Sequence, residues 1–195
     1  MSIVDIVKGK IPEQERIVYA KLKRHASMWF EKMAQGSSRD VYDAGDYVIK
    51  VVKNVKGIAQ NEVESNLYND VYAPSFLAEI IYTASDNSFL IMEKSKKVTK
   101  ASFKSQAGFS LEYLLDYLIY TIVGRYSFKQ IELSEESEQF LSDIHEYVMS
   151  FSIDKSFADL AQSSSWGINR DGDLVLIDYG LNNDVAKKHY NRGRK

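Results

Sequence analysis

The chain has 195 residues, 45% of them hydrophobic and 27% charged, with only 10 Gly and 2 Pro, a globular rather than fibrous or disordered composition. Its 25 Lys and Arg against 27 Asp and Glu leave a formal net charge of -2, so no global positive field exists to hold nucleic acid or anionic lipid, and neither partner is expected. The complete absence of cysteine excludes a disulfide framework, thiolate zinc, iron–sulfur ligation and a cysteine nucleophile.

Asp5, Lys8 and Lys10 make the first ten residues too polar for a secretory signal. The most apolar stretch, Tyr113 to Val123, is interrupted by Asp116 and too short to span a bilayer. A cytoplasmic protein without a membrane segment is expected. Residues 1–26 are predicted to form an N-terminal helical extension, with Pro12 opening a helix that carries Ile17, Val18 and Leu22 on one stripe.

Strand signals follow at Met28–Phe30, Val41–Tyr42 and Tyr47–Val52, separated by turn chemistry at Gly36-Ser37-Ser38 and Ala44-Gly45-Asp46. A helix is predicted over Ile58–Tyr72 from the spacing of Val63, Leu67, Tyr68 and Val71, stopped by Pro74. Two more strands, Phe76–Tyr82 and Phe89–Met92, flank the turn Ser85-Asp86-Asn87-Ser88. Lys94, Lys96, Lys97 and Lys100 then mark an exposed connector, dividing a lobe of residues 27–97 from one of residues 98–195.

Beyond it the pattern turns helical. Leu111, Leu114, Leu115, Leu118 and Ile122 form one amphipathic stripe, and Phe140, Leu141, Ile144, Val148 and Met149 form another behind Glu135-Glu136. A loop from Ser152 to Ser165 leads to Trp166-Gly167-Ile168 and, across Asp171-Gly172, to Leu174–Ile177 and Asp178-Tyr179-Gly180. The fold class expected is α+β in two lobes, an antiparallel sheet with one helix followed by a small, mostly helical lobe.

Polar residues at the ends of these strands are where phosphate chemistry can be assembled. Gly36-Ser37-Ser38-Arg39 forms a turn, Lys50 lies inside a strand, Glu64 lies on the next helix, and Asp159 and Asp178 flank the last hairpin. A lysine on a half-buried strand needs a carboxylate partner, because an unpaired buried charge costs several kcal/mol. Glu62 and Glu64 compete for that place. Glu64 shares a helical face with Leu67, Tyr68 and Val71, whereas Glu62 aligns with Asn66 and Asn69, so Glu64 is the inward candidate. Taken singly, Lys50 also suits a solvated strand, and Asp159 and Asp178 suit caps or turns.

Together, from Met28 to Leu181, the order resembles the protein kinase-like superfamily, which includes protein kinases and small-molecule kinases. The resemblance implies an ATP- and Mg²⁺-dependent phosphotransferase acting on a hydroxyl of a protein or small molecule. Lys50 would hold the nucleotide phosphates with Glu64 as its partner, under the turn Gly36, Ser37, Ser38 and Arg39, and backbone groups of Glu93 to Ser95 would meet the adenine edge. Leu176-Ile177-Asp178-Tyr179-Gly180 is similar to the family's Asp-Phe-Gly, which makes Asp178 the metal ligand. Asp159, 19 residues earlier (178 minus 159), would orient and deprotonate the attacking hydroxyl.

The chain departs from that pattern in several places. Ala161 replaces the catalytic-loop lysine, Ser164 (or Ser165, with one inserted residue) stands where the second metal-holding Asn belongs, and only Gly36 of the usual glycines remains. Fifteen residues follow Gly180 (195 minus 180), too few for a peptide-substrate platform. These departures equally suit a pseudokinase that binds nucleotide or a partner protein without turnover. Asn54-Val55-Lys56-Gly57-Ile58-Ala59-Gln60-Asn61, Trp166-Gly167 and Leu181–Val185 are similar to small kinase-like proteins of bacteriophages, which implies the host cytoplasm as the compartment. The three histidines, His25, His145 and His189, lie at no metal-ligand spacing, and the basic stretch from Lys187 to Lys195 suits a solvated terminus.

Overall fold

The computed structural model describes residues 26–124, 127–153 and 156–190. The predicted helix over Pro12–Lys23, and with it His25, lies outside the described residues. The chain divides into two compact units, one built from residues up to Ser65 together with Glu79–Lys94, the other from Asn66–Ala78 together with the residues from Ser95 onward. Among the described residues no helix is long and apolar enough to cross a membrane.

The first unit is a five-stranded antiparallel sheet and most of one helix, the α+β arrangement expected. Strands β1 (Glu31–Gln35), β2 (Arg39–Asp43) and β3 (Tyr47–Val52) precede helix α1 (Val55–Tyr68), and β4 (Ile80–Thr83) and β5 (Phe89–Glu93) complete a sheet of order β1-β2-β3-β5-β4. Alternation along the central strands splits their side chains cleanly. Ile49 and Val51 on β3 join Phe89 and Ile91 on β5, with Tyr42, Ala84 and Ala26, in one apolar core. Val48 and Lys50 turn to the opposite face, where Lys50 stands across from Val41 on β2 and Leu90 on β5.

The first strand and both ends of α1 differ from the sequence expectation, and β4 begins at Ile80 rather than Phe76 because residues 76–78 pair with the later strand Leu174–Leu176 instead. Residues 26–29 are helical, and the first strand begins at Glu31 with all five residues exposed, so Met28-Trp29-Phe30 is not a strand. Helix α1 starts three residues earlier than Ile58 because Asn54 caps it, its Oδ1 accepting from the Lys56 N–H at 3.1 Å and its carbonyl from the Gly57 N–H at 2.9 Å. The helix ends at Tyr68, where Asp70 Oδ1 takes the Tyr72 N–H into a turn, leaving Val71 89% exposed rather than on an inward stripe.

The second unit carries α2 (Lys100–Ala107), α3 (Leu111–Leu118), α4 (Glu135–Ser150) and α5 (Asn183–His189) with a three-stranded sheet, β6 (Lys96–Lys97), β7 (Trp166–Ile168) and β8 (Leu174–Leu176). The lysine-rich connector is therefore partly structured. Thr99 and Ser102 form a reciprocal capping box and Gly108, at φ 80°, closes the helix, so α2 has a complete start and stop signal. Buried Trp166 sits at the centre of an aromatic cluster, with ring centroids 5.3 Å from Phe103, 5.9 Å from Phe140 and 6.0 Å from Phe76. Residues 76–78 run alongside β8, with Leu176 N–H donating to the Phe76 carbonyl at 2.7 Å and Ala78 N–H to the Leu176 carbonyl at 3.0 Å.

Candidate functional site

Lys50 and Glu64 form a buried pair in the first unit. The Lys50 ammonium donates to both carboxylate oxygens of Glu64, at 3.0 and 2.9 Å, with Lys50 only 6% and Glu64 0% exposed. The strand puts Lys50 there because its neighbours Ile49 and Val51 are claimed by the apolar core, which forces position 50 to the other face.

That pair has a third member that sequence reasoning assigned elsewhere. Arg39, 7% exposed, places Nη1 2.9 Å from Glu64 Oε2 and 3.1 Å from Asn61 Oδ1. The β-hairpin register explains why: Val41 lies opposite Lys50 and Arg39 opposite Val52, so Arg39 and Lys50 are diagonal neighbours on one face. The signal was available in the parity of 39, 41, 50 and 52 about the Ala44–Asp46 turn. Where the sequence offered the Arg39 cation and Ser38 hydroxyl to phosphates, the structure turns both toward α1. Ser38 is 5% exposed and donates to Gln60 Oε1, while Gly36 and Ser37 remain exposed.

The inward face of α1 is accordingly polar. Asn54 Nδ2 donates to the Ser37 carbonyl at 3.1 Å, Gln60 meets Ser38, and Asn61 Nδ2 donates to the Asn87 carbonyl at 2.9 Å while its oxygen takes Arg39. Between them Gly57 lies so close to the sheet that a Cβ would sit 2.4 Å from the Ser38 carbonyl oxygen. The residues 54, 57, 60–61 and 64 recur at helical spacing as a polar stripe; of the apolar stripe expected from Val63, Leu67, Tyr68 and Val71, Leu67 is buried, Val63 and Tyr68 are half-buried and Val71 is exposed.

At the end of β5 the backbone is partly committed. The Glu93 N–H donates to the Glu79 carbonyl at 2.9 Å and its side chain accepts the Glu79 N–H at 3.0 Å, while the Lys94 N–H donates to the Asp46 carbonyl. In the second unit, Ser95 Oγ is buried without a hydrogen-bond partner among the described residues, and its Cβ abuts Gly167, whose own Cβ would approach it to 2.4 Å.

Asp159 and Asp178 belong together within the second unit. Asp159 sits on a short 3₁₀ turn, Phe157–Ala161, pinned by the Trp166 indole N–H donating to the Leu160 carbonyl at 2.7 Å and by the Ser165 hydroxyl donating to the Asp159 carbonyl at 2.7 Å. Asp178 follows β8 and is exposed, and the next side chain anchors its turn: Tyr179, 2% exposed, donates its hydroxyl to the Ala78 carbonyl at 2.9 Å. Burial first, and then the nearby Asp178 carboxylate, push the Asp159 carboxyl above the ordinary aspartate range. Of the two serines offered for the metal, Ser165 is the buried one bonded to this loop and Ser164 is exposed. No group of three or more potential His, Asp or Glu ligands occurs among the described residues. Mg²⁺ characteristically takes one or two carboxylates and completes its shell with phosphate and water oxygens, so the exposed Asp178 carboxylate suits it in kind.

No protein-family model matches the sequence, and no curated protein matches it. Solved structures similar to it include two kinases. The streptomycin–ATP–APH(2")-IIa ternary complex is 17% identical, covering 84% of this chain and 70% of its own with a TM-score of 0.39. Choline kinase LicA from Streptococcus pneumoniae is 14% identical, covering 85% and 68%, with a TM-score of 0.35. Both have the protein kinase-like fold.

Proposed function

We propose that the protein is an ATP- and Mg²⁺-dependent phosphotransferase that acts on a hydroxyl of a small molecule or a protein. The observation that carries this reading is the doubly bonded Lys50–Glu64 pair on the central strand of a five-stranded antiparallel sheet. Lys50, oriented by Glu64, holds phosphate oxygens, and the exposed Ser37, beside a Gly36 N–H committed to the Arg39 carbonyl, offers its backbone N–H and hydroxyl to the same anion. The Glu93 carbonyl and the Ser95 N–H serve the adenine edge. Asp178, with Ser164 or Ser165, holds the metal, which when bound neutralises charge on the transferring phosphoryl group.

Asp159 orients the acceptor hydroxyl and takes its proton as the new oxygen–phosphorus bond forms and the bond to the departing ADP oxygen breaks. A carboxylate raised by burial is a stronger base than an exposed one, which suits that task. The test is transfer of labelled γ-phosphate from ATP to a panel of small alcohols and hydroxyl-bearing proteins. Wild type is expected to transfer label and Asp178→Ala to lose it; equal signals in both would overturn the reading.

The pseudokinase reading has its own observation. Ala161 supplies no loop cation, and the Ser165 hydroxyl is spent on the Asp159 carbonyl. Thermal-shift titration with ATP and Mg²⁺ separates the two, since ligand at 100 times its dissociation constant adds about 2.7 kcal/mol of stability. Stabilisation without label transfer favours the binding module.

A further inference from the structure

Glu64 serves two cations through one carboxylate. Oε1 accepts from Lys50, and Oε2 lies 2.9 Å from both Lys50 Nζ and Arg39 Nη1. The two donors differ in stiffness. Lysine is a point charge on a flexible stem that follows its partner, but a guanidinium is a planar fork whose bonds fix direction. Arg39 brings one nitrogen of that planar group, Nη1, against two residues one turn apart on α1, Glu64 and Asn61, and Asn61 is itself tied to the Asn87 carbonyl at 2.9 Å. All of Arg39, Asn61 and Glu64 are 7% exposed or less, so water does not compete for these bonds.

We propose that Arg39 is a positioning residue: it holds Glu64 on Lys50 whether or not nucleotide is present, which makes the Lys50–Glu64 pair a permanent part of the fold rather than one assembled by movement of α1. The inference rests on the phosphotransferase reading only for its effect on nucleotide binding. The neighbouring contacts point the same way. Gly57 against the Ser38 carbonyl, Gln60 with Ser38 and Asn54 with Ser37 fasten α1 to the β1–β2 turn at each helical repeat, and Arg39 is the last rung, at the level of the charge pair. Arg39 thus acts on phosphate through Glu64 and Lys50, without touching phosphate itself.

The experiment compares wild type, Arg39→Met and Arg39→Lys, each also in a Glu64→Gln background, by amide hydrogen exchange of α1 without nucleotide and by calorimetric titration with ATP and Mg²⁺. Arg39→Met is expected to speed exchange across Asn61–Leu67 and to weaken ATP binding, each about tenfold, as the loss of one coupled contact implies. Arg39→Lys, which keeps the charge but loses the planar group that aims Nη1 at Glu64 and Asn61, should speed exchange about threefold. In the Glu64→Gln background Arg39→Met should change either quantity less than about twofold, because the coupling it carries is gone. That last comparison distinguishes positioning from general packing, which would cost the same in both backgrounds. Wild-type exchange in both Arg39 variants, or an undiminished effect when Glu64 is Gln, overturns the proposal. If wild type binds no ATP, the phosphotransferase reading falls, and the exchange data still decide the role of Arg39. If Arg39→Met does not fold, Arg39→Lys decides alone, wild-type exchange in it counting against the fork.

Discussion

Removing the two ends of the buried pair should have unequal effects. Glu64→Gln leaves Lys50 and Arg39, 6% and 7% exposed, facing a neutral amide. Breaking a buried ion pair in this way costs about 3–5 kcal/mol, because two buried cations lose a shared carboxylate charge while staying out of water. Lys50→Met removes two charge-assisted bonds of 3.0 and 2.9 Å, but Glu64 still has Arg39 at 2.9 Å, and the thioether fills much of the lysine stem's space. The loss is then nearer that of a charged hydrogen bond, about 1.5–3 kcal/mol. With a urea m value of about 2 kcal/mol/M, Glu64→Gln should lower the unfolding midpoint by about 1.5–2.5 M and Lys50→Met by about 0.8–1.5 M. Because all three groups are buried, the difference should persist in 0.5 M salt, where an exposed pair would be screened. Equal midpoints, or a larger shift in Lys50→Met, would refute the reasoning that Glu64 serves both cations as a counter-ion.

Gly57→Ala should destabilise despite improving helix propensity, since a Cβ 2.4 Å from the Ser38 carbonyl forces a backbone shift costing about 1–3 kcal/mol against a gain of about 1; a raised melting temperature would show that α1 can move. Asp159→Asn should stabilise the protein at neutral pH. The folded state raises this carboxyl's pKa, so ionising it works against folding above that pKa; the advantage of Asn should shrink as pH falls through the folded pKa and vanish below the unfolded value of about 3.9, a pattern followed by melting temperature against pH. Ser165→Ala, which deprives the Asp159 carbonyl of a 2.7 Å bond, should cost about 1 kcal/mol by urea unfolding, while exposed Ser164→Ala should stay within about 0.5.

Much of the sheet was legible because its strands alternate. Tyr47–Val52 and Phe89–Glu93 show a core parity at 49, 51, 89 and 91 that leaves Lys50 on the other face, and the Glu64 choice over Glu62 followed from helical phase. Apolar phase alone finds Leu67, which is buried, but not the rest of what lines α1, because Gln60, Asn61 and Glu64, also buried on this helix, are polar. Such a face has no signature in hydrophobic periodicity. It becomes visible only when Arg39 and Ser38 are known to stand opposite, information held in strand pairing rather than in the helix. Helix α2 was hidden differently: four lysines read as solvated connector, although the Thr99-x-x-Ser102 cap and Gly108 were present in the sequence. The choice between Ser164 and Ser165 turned on a 3₁₀ turn whose phase spacing alone does not fix.

The turn at Asp178 depends on a residue made very much earlier. The Tyr179 hydroxyl closes on the Ala78 carbonyl across 101 positions of chain, whereas the Trp166 bond that sets the Asp159 turn spans only 6. Closing the longer loop costs about 2.5 kcal/mol more in chain entropy, from the logarithm of the length ratio. During synthesis, residues 76–78 leave the ribosome with their β8 partner still unmade, so their backbone groups wait, unpaired and competent for wrong pairings, until about a hundred further residues have emerged. The two aspartates therefore come under control at different times: a nascent or truncated chain ending before residue 174 can shape the first turn but never the second, and any partner that shields residues 76–78 in that interval would act on folding yield rather than on chemistry.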